Sequence, residues 1–163
     1  MNREQLEAAV AAHPFLIGMS QHHIRLLAAC AMRTHFEPNQ VIFREGETAN
    51  RFYLIENDRV ALESTANHEK PVIIDEVGDA DLLGWSWLFP PYIWHFAARA
   101  VAPTDAIFFY GRVLREYCER DHGLGFELFK RMSEVMTRRL QSARTRLLSA
   151  YAADPTLAQR SAS

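Results

Sequence analysis

The sequence contains little cysteine, no long apolar run and little net charge. Cys30 and Cys118 are the only cysteines among 163 residues, and they lie far apart, outside any Cys-x-x-Cys pair. This argues against a disulfide scaffold and against a cysteine-rich metal or iron–sulfur site. No apolar run approaches the roughly 20 residues that a membrane span needs, so we expect no membrane partner. The formal net charge of -2 argues against a general nucleic-acid-binding surface.

The N-terminus and the overall composition indicate an ordinary cytoplasmic domain. Residues 1–6 lack the charged-then-apolar pattern of a secretory signal. Hydrophobic residues make up 48% and charged residues 23% of the chain, as in most globular proteins. A length of 163 residues fits one domain rather than two. We therefore predict a single domain over residues 1–153 and a flexible polar tail over residues 154–163.

Two predicted helices precede a β-rich region. Residues 1–33 contain a helix over residues 4–12 and a second helix whose N-cap is Ser20. Over residues 34–110, short β-rich runs alternate with turn residues, a spacing typical of an antiparallel sandwich or barrel. These runs cover residues 41–43, 52–55, 60–62, 72–74, 98–101 and 106–110.

The next part of the chain, residues 111–153, is predicted to be helical. A short helix over residues 112–120 precedes a long helix from about residue 125 to residue 152. Apolar residues at steps of three and four give the long helix one apolar face. The members of that face are Leu128, Phe129, Met132, Val135, Met136, Leu140, Ala143, Leu147, Leu148 and Tyr151. Such a face needs burial, and pairing with a second copy or docking on another protein would cover it.

Four motifs at consistent spacing resemble the cyclic-nucleotide-binding domain of bacterial CRP/FNR-type regulators and kinase regulatory subunits. They are Phe36-x-Pro38-x-x-Val41-Ile42-Phe43-x-Glu45-Gly46-Glu47, Phe52-Tyr53-Leu54-Ile55-x-x-x-x-Val60, Val77-Gly78-x-x-Asp81-x-Leu83-Gly84 and the segment from Ala97 to Asp105. The similarity covers about residues 13–150. It implies a mainly β fold with flanking helices (α+β). The expected architecture is an antiparallel β-roll of the jelly-roll type, with N-terminal helices and a long C-terminal helix.

Three turn positions differ from the glycine that the family usually carries. The resemblance aligns Asn39, Asp58 and Ala80 with glycines that need a positive φ angle. Asn and Asp adopt that conformation more readily than other non-glycine residues, so the first two turns should be retained. Alanine does so less easily, and we expect the loop that contains Ala80 to be reshaped.

The resemblance also implies a phosphate-binding cassette, and its charged residues are missing here. In the family, a glutamate after the glycine that matches Gly84 holds the ribose 2′-hydroxyl, and an arginine on the next strand pairs with the cyclic phosphate. A short helix points its N-terminal N–H groups at that phosphate. In this chain the two positions are Trp85 and Phe96, and Ala97 replaces a hydroxyl residue. Arg99 lies three residues beyond Phe96 and should face the other way on a regular strand.

The cassette region contains all three tryptophans of the chain, and its aromatic run has three interpretations. The rings fill the vacated pocket as extra core, line a rebuilt pocket for a nucleotide-like or apolar ligand, or form an exposed patch that docks a partner protein. In the second interpretation, the predicted ligand contacts are Leu83, Gly84, Trp85, Ser86, Trp87, Phe96 and Ala97.

The sequence predicts no cofactor, no metal site and no catalytic site. His22 and His23 are adjacent, so on a helix they should point about 100° apart and not chelate one ion together easily. His95 is the one histidine beside the predicted pocket. Ser86 lacks the second glycine of a nucleophile elbow, and no His–Asp pair is evident near it, so we expect no enzyme activity.

The expected function is regulatory. The leading hypothesis is a small-molecule sensor with altered or lost cyclic nucleotide specificity, which transmits pocket occupancy to its C-terminal helix. The alternatives are a ligand-free dimerisation or accessory subunit of a larger redox or signalling complex, and cyclic nucleotide binding in an atypical pose. CRP-type regulators read DNA with a helix-turn-helix module after this helix. About a dozen residues follow Tyr151, so we expect no direct DNA binding.

Overall fold

The computed structural model describes residues 2–65 and 70–154, together with residues 156 and 159. The described chain forms α1 (Arg3–Ala12), α2 (Gln21–Cys30), β1 (Met32–Phe36), β2 (Val41–Phe43), β3 (Arg51–Ile55), β4 (Val60–Ser64), β5 (Val72–Val77), β6 (Leu82–Leu83), β7 (Ala97–Ala100), β8 (Thr104–Tyr110), α3 (Gly111–Arg120) and α4 (His122–Ala153). Two compact units are distinguished, Met1–Gly125 and Phe126–Ser163. None of the described helices combines the length and the apolar character that crossing a membrane requires.

The described strands form two four-stranded antiparallel sheets. The first sheet has the order β1-β8-β3-β6, and the second has the order β2-β7-β4-β5. Strands that are distant in sequence pair directly: Tyr53 of β3 lies opposite Phe108 of β8, and Leu62 of β4 lies opposite Ala98 of β7. The predicted antiparallel β-roll with flanking helices is confirmed.

The inner faces of both sheets contribute to one buried cluster. Tyr53 and Ile55 of β3 join it together with Leu62 of β4, as the alternation of side chains along a strand requires. The opposite face of the first sheet is also buried, because Phe52 packs edge-on against Phe15 with ring centroids 5.7 Å apart. Both faces of β3 are therefore buried, and its sequence is accordingly a nearly continuous apolar run.

Two strands were not predicted because their sequences carry no periodic apolar signal. β1 buries only Phe36 among its five residues, and β6 has only two residues. Both strands are held by backbone pairing, β1 to β8 and β6 to β3. A pattern of alternating hydrophobicity needs at least four or so residues to be recognised, so neither strand could be identified that way.

The turns of the roll keep the backbone conformation that glycine usually supplies. Asn39 has a φ angle of 68° and Asp58 one of 65°, which confirms that these two turns are retained. Ala80 also has a positive φ angle, 65°, and its N–H donates to the carbonyl of Ile55 at 3.1 Å. The expected reshaping of this loop is therefore wrong at Ala80. Alanine adopts the left-handed conformation here although it does not favour that conformation.

His13 connects the end of α1 to the same carbonyl. Its Nε2 lies 2.8 Å from the oxygen of Ile55, and its Nδ1 accepts from the N–H of Phe15. With Nδ1 acting as the acceptor, the proton of the neutral ring is on Nε2 and is donated to Ile55. Burial lowers the pKa of His13, although the Ile55 carbonyl and the charge of Asp81 oppose that shift.

The long helix α4 has 32 residues and begins three residues earlier than predicted. Its apolar positions differ strongly in exposure. Leu128, Met132 and Val135 are buried, whereas Leu140 is 71% exposed and Leu148 is 55% exposed. The predicted polar tail lies outside the described residues, apart from residues 154, 156 and 159.

Candidate functional site

The predicted cassette is a loop of turns between β6 and β7. All residues from 84 to 96 are described, and none of them is helical. The N–H of Leu88 donates to the carbonyl of Trp85 at 3.0 Å, and the N–H of Tyr92 donates to that of Phe89 at 2.9 Å. The short helix that the resemblance implies is therefore replaced by two turns. We call residues 84–96 the aromatic loop.

The second half of the aromatic loop is fastened to the β2–β3 connection. Trp94 exchanges two backbone hydrogen bonds with it, accepting from the N–H of Gly46 at 2.8 Å and donating to the carbonyl of Glu47 at 2.9 Å. The N–H of Ala49 donates to the carbonyl of Tyr92 at 2.7 Å. These bonds hold the backbone on both sides of Ile93 in a strand-like arrangement.

Trp94 belongs to the core of the roll. Its indole stacks on Phe43, with centroids 3.8 Å apart and an interplanar angle of 9°, and Trp94 is only 2% exposed. Gly84 makes room for this ring. A Cβ atom at position 84 would lie 2.6 Å from the Trp94 side chain, and the φ angle of Gly84 is +92°. Glycine is thus required here both by the close approach of the indole and by the backbone conformation.

The structure brings Trp85 and Phe96 together. Their rings meet edge-to-face with centroids 5.9 Å apart, and Phe96 also packs against Phe43 at 5.8 Å. Phe96 is 7% exposed and belongs to the core cluster together with Leu83, while Trp85 is partly buried against that cluster. The position that the resemblance aligns with an arginine therefore holds a buried aromatic ring.

Arg99 faces away from Phe96, as the strand period predicts. Its neighbours Ala98 and Ala100 are in the core cluster, so Arg99 lies on the opposite face of β7. There its guanidinium donates to the carboxylate of Glu63 on β4. The Glu63 side chain is only 7% exposed, and that of Arg99 is 38% exposed. This arginine therefore neutralises a buried carboxylate. Ala97, the last of the predicted contacts, is half-buried.

Trp87 is separated from Trp85 and lies on the outer side of the first sheet. Its ring packs against Phe52 with centroids 5.7 Å apart, and it is 1% exposed. The carbonyl of Trp87 accepts from the guanidinium of Arg115 on α3, which also lies 4.3 Å from the ring centroid of Tyr92. Arg115 was missed by the sequence reasoning, because nothing local links a helix arginine to a loop so far along the chain.

Two polar atoms at the start of the aromatic loop are buried without a hydrogen-bond partner among the described residues. They are the hydroxyl oxygen of Ser86 and the indole nitrogen of Trp87. Buried polar atoms usually have a partner, and the exceptions call for a water, an ion or a ligand. The loop thus holds unused hydrogen-bonding capacity at Ser86, next to Trp85 in sequence, and at Trp87 on the outer side of the first sheet.

A groove of about 410 Å³ opens beside Trp94. Its lining residues are Ile42, Phe43, Glu47, Thr48, Asn50, Arg51, Tyr53 and Trp94. The guanidinium of Arg51 lies 4.4 Å from the centroid of Phe108 and 5.4 Å from that of Tyr110. Burial raises the pKa of Tyr53, and the positive charge of the nearby Arg51 offsets part of that rise. Arg51 therefore supplies a cation to this groove, already stacked on two aromatic rings.

His22 and His23, which the sequence predicts not to chelate one ion together easily, both reach Asp121. The Nε2 atoms of the two rings lie 3.2 Å and 3.3 Å from its two carboxylate oxygens. His95, the histidine beside the predicted pocket, is exposed.

Comparisons with known proteins agree with this architecture. The sequence model of the cyclic nucleotide-binding domain family matches residues 33–121, a little over half of the chain. None of the curated protein sequences matches the chain. A cyclic nucleotide-binding domain from Methylobacillus flagellatus KT is similar in structure, with a TM-score of 0.76 at 18% identity. The alignment covers 91% of this chain and 83% of that one.

Two trypanosomal proteins also share the fold. The regulatory subunit of a cAMP-independent protein kinase A from Trypanosoma cruzi, bound to guanosine, has a TM-score of 0.66 at 19% identity, over 86% of this chain and 50% of that one. A mutant of the corresponding Trypanosoma brucei subunit, bound to cAMP, has a TM-score of 0.67 at 22% identity, over 85% and 51%. With more than half of the chain matched by the family's sequence model, this protein belongs to the cyclic nucleotide-binding domain family.

Proposed function

We propose that this chain is a regulatory domain that does not take a cyclic phosphate, and that it senses an uncharged, ring-bearing small molecule instead. One observation carries the proposal: Phe96, at the position of the family's phosphate-pairing arginine, is buried in an aromatic cluster with Phe43 and Trp85. The guanidinium on the following strand, that of Arg99, is bonded to Glu63 on the other face. A regulatory role without catalysis accords with the family.

The binding free energy that is lost without these charged partners argues against cyclic AMP or cyclic GMP as the ligand. A hydrogen bond to a charged group contributes about 1.5–3 kcal/mol. Without the arginine and glutamate partners, affinity should fall by about two to four orders of magnitude, at ~1.4 kcal/mol per tenfold. A phosphate charge that entered an apolar site unpaired would weaken binding further.

The aromatic loop instead suits a planar, neutral ligand. Trp85 is only partly buried and offers a ring surface for stacking. The hydroxyl of Ser86, the next residue in sequence, is an unused hydrogen-bonding group. Leu83, Gly84 and Phe96 complete the proposed surroundings. Trp87, on the outer side of the first sheet, and Ala97, on the face of β7 that Arg99 shares, lie away from them. The guanosine bound by the Trypanosoma cruzi subunit supports a nucleoside as the first class of compound to test.

In this proposal, ligand binding is transmitted through α4, which also serves as the contact between two copies. The support is its exposed apolar side chains. Leu140 is 71%, Leu147 53% and Leu148 55% exposed, and exposed leucines in one helix are typical of a face that pairs with a second helix. In the ligand-free chain, we expect a homodimer or a complex with a protein partner.

A second candidate function is a ligand-free interaction subunit. Its specific support is the burial of Trp94 and Phe96, which are 2% and 7% exposed and fill the roll interior with side chains. In that case the roll is a scaffold, and α4 alone carries the function through association with another protein.

Intrinsic fluorescence distinguishes these candidates, because every tryptophan lies in the aromatic loop. The full chain is titrated with guanosine, adenosine, cyclic AMP and cyclic GMP. We expect a saturable change with a nucleoside and none with the cyclic nucleotides at concentrations below a millimolar. Trp85→Phe should abolish most of the change, and Phe89→Leu, at an exposed position, serves as the matched control.

Tight binding of cyclic AMP or cyclic GMP would contradict the proposal and favour an atypical pose. The cation of that pose would be Arg51 in the neighbouring groove, so Arg51→Gln would then abolish binding. Traces that stay flat with every compound, from a chain that sediments as a dimer, would favour the interaction subunit.

A further inference from the structure

The helical part of the first unit contains a second cluster of interacting polar groups. His22 and His23 lie in the first turn of α2, directly after the N-cap Ser20, whose hydroxyl accepts from the N–H of His23 at 3.3 Å. Asp121 lies about a hundred residues later along the chain, between α3 and α4. It closes α3, donating its N–H to the carbonyl of Tyr117 at 2.8 Å.

The ligand atoms of the three side chains lie close together. Nε2 of His22 lies 3.2 Å from Oδ2 of Asp121, and Nε2 of His23 lies 3.3 Å from Oδ1. One ligand atom from each of the three residues falls within 4.8 Å of the other two. Two adjacent rings can approach each other in this way because both are turned towards the carboxylate of Asp121. Their centroids are 5.4 Å apart, with an interplanar angle of 47°.

These separations fit a shared metal ion. Zinc binds histidine nitrogen and carboxylate oxygen at about 2.0–2.2 Å, and a tetrahedral arrangement then puts two ligand atoms roughly 3.4 Å apart. The nitrogen–oxygen distances of 3.2 Å and 3.3 Å are close to that value. Two imidazoles and one carboxylate are a ligand set that zinc and related divalent transition metals accept, and a water completes it.

The three side chains differ in exposure to solvent: His22 is exposed, whereas His23 and Asp121 are partly buried. The His22 side chain is 70% exposed, whereas that of His23 is 14% and that of Asp121 is 28% exposed. Nδ1 of His23 is buried without a hydrogen-bond partner among the described residues, so this ring interacts through Nε2. His22 therefore marks the solvent side, where the ion and its water would enter.

Gly123 provides the space that such an ion needs. A Cβ atom at position 123 would lie 3.2 Å from Oδ1 of Asp121 and 3.3 Å from Cε1 of His23. Both contacts are tighter than most real Cβ contacts, so a side chain here would crowd the Asp121 carboxylate and the His23 ring. Gly123 lies in the first turn of α4, where alanine would otherwise be the better helix former.

The cluster around His35 provides a contrast within the same molecule. His35 also has two carboxylate neighbours, but Asp105 is on Nδ1 at 2.7 Å and Glu37 is on Nε2 at 3.4 Å. The two nitrogens of an imidazole point to opposite sides of the ring, so these carboxylates cannot bind one ion together with it. In the first cluster, by contrast, the Nε2 atoms of both histidines lie against one carboxylate.

We propose that His22, His23 and Asp121 form a binding site for one Zn²⁺ or a related divalent transition-metal ion, which fastens the start of α2 to the junction between α3 and α4. The site is separate from the aromatic loop and does not depend on the ligand proposed for it. Its role is structural, since a single ion links segments that are 98 residues apart in sequence.

The test is isothermal titration of the metal-stripped full chain with zinc chloride. We expect one ion per chain. His22→Gln and the double variant His22→Gln/His23→Gln should weaken binding at least about tenfold, as loss of a ligand does. His35→Gln is the matched control and should bind like the unmodified chain. Zinc should also raise the Tm of the unmodified chain and leave that of the double variant unchanged.

Gly123→Ala tests the geometry without removing a ligand. It should weaken zinc binding while leaving the chain folded, because alanine favours the helix but crowds the ligand atoms. Cobalt(II) added in place of zinc should give the visible absorption of a tetrahedral site, and His22→Gln, at an exposed position, should remove it. The proposal is overturned if the unmodified chain binds no zinc, or if the histidine variants bind it with unchanged affinity.

Discussion

The turns of the roll and the aromatic loop both depart from the family's usual residues, but with different consequences. In the turns, Asn39, Asp58 and Ala80 replace glycine and keep the positive φ angle, so the backbone path is preserved. In the aromatic loop, the resemblance aligns Trp85 and Phe96 with charged residues; here Phe96 belongs to a hydrophobic cluster and Trp85 packs against it. A turn requires only a backbone conformation, which several residues can adopt at modest cost. A phosphate site requires particular charged groups, and no aromatic ring substitutes for them.

The largest expected effect comes from reversing the change in the aromatic loop. Trp85→Glu with Phe96→Arg restores the two missing partners and should create affinity for cyclic AMP. Each charge-assisted bond contributes about 1.5–3 kcal/mol, so the gain should be roughly 10- to 100-fold per group. Calorimetric titration with cyclic AMP measures it.

The control for this double variant is Trp85→Gln with Phe96→Met, which removes the same rings and adds no charge. It should not bind cyclic AMP. If the charged variant folds, judged by its circular dichroism and a cooperative unfolding transition, and still gains no affinity, then the cassette has been aligned with the wrong residues.

The next effect concerns the loop as part of the core. Trp94→Ala should destabilise the protein by about 3–5 kcal/mol, since removal of a buried tryptophan leaves a cavity beside Phe43. Urea denaturation followed by circular dichroism measures the free energy of unfolding. Phe89→Ala in the same loop is the control; Phe89 is 45% exposed, and its loss should change stability by no more than about 0.5 kcal/mol. A loss for Trp94→Ala as small as the one expected for Phe89→Ala would mean that Trp94 does not stabilise the roll.

A smaller effect is expected in the turns. Ala80→Gly should stabilise the protein by up to about 1 kcal/mol, because alanine pays a steric cost in the left-handed conformation that glycine avoids. Asn39→Gly should change stability less, since Asn tolerates that conformation better. Thermal unfolding of the two variants in parallel provides the comparison. A stabilisation of Asn39→Gly larger than that of Ala80→Gly would contradict this account of the turns.

The smallest effect is a dependence of stability on pH, which His13 causes beside the turn that contains Ala80. His13 and the N–H of Ala80 share the Ile55 carbonyl, and burial holds the pKa of His13 below its ordinary value of 6.5. Above pH 6.5 the neutral ring is favoured in both states. As pH falls below that value, the unfolded chain binds a proton that the folded chain resists, so the free energy of unfolding decreases.

The measurement is urea denaturation between about pH 5 and pH 7.5, the range in which histidine titrates. His13→Gln should reduce the slope of stability against pH in the acid half of this range. His35→Gln serves as a comparison of opposite sign. The hydrogen bond with Asp105 raises the pKa of His35, so its contribution is present at low pH and lost as pH rises. An unchanged acid slope in His13→Gln would assign the dependence to other groups.

Prediction from the sequence succeeded where a residue's own pattern determines its environment. The run from Phe52 to Ile55 is continuously apolar because β3 is buried on both faces, and Asn39 indicates a left-handed turn by its residue type. It failed for β1, whose residues are mostly exposed and whose position depends on pairing with β8. Ala80 was also misjudged, because the hydrogen bond of its N–H to Ile55 is a tertiary contact that overrides the preference of alanine.

The candidate site was predictable only in its composition. The loss of charge at Trp85 and Phe96 is visible in the sequence, and so is the concentration of tryptophan. The separation of Trp85 from Trp87 is not, since the two rings lie on different sides of the first sheet although one residue separates them. The convergence of His22 and His23 on Asp121 was missed for a related reason: the helix period describes the directions of Cβ atoms, not the reach of imidazole rings towards a residue far along the chain.

The burial of β3 on both faces has a consequence for how the molecule opens. Phe52, Tyr53, Leu54 and Ile55 are each at most 4% exposed, and β3 pairs along its full length with β8. Exposing an amide of β3 to solvent therefore requires the roll interior and the layer beneath Phe15 to separate together. The amides of β3 should be the last to exchange with deuterium, and their exchange rates should report the global free energy of unfolding rather than local fluctuation.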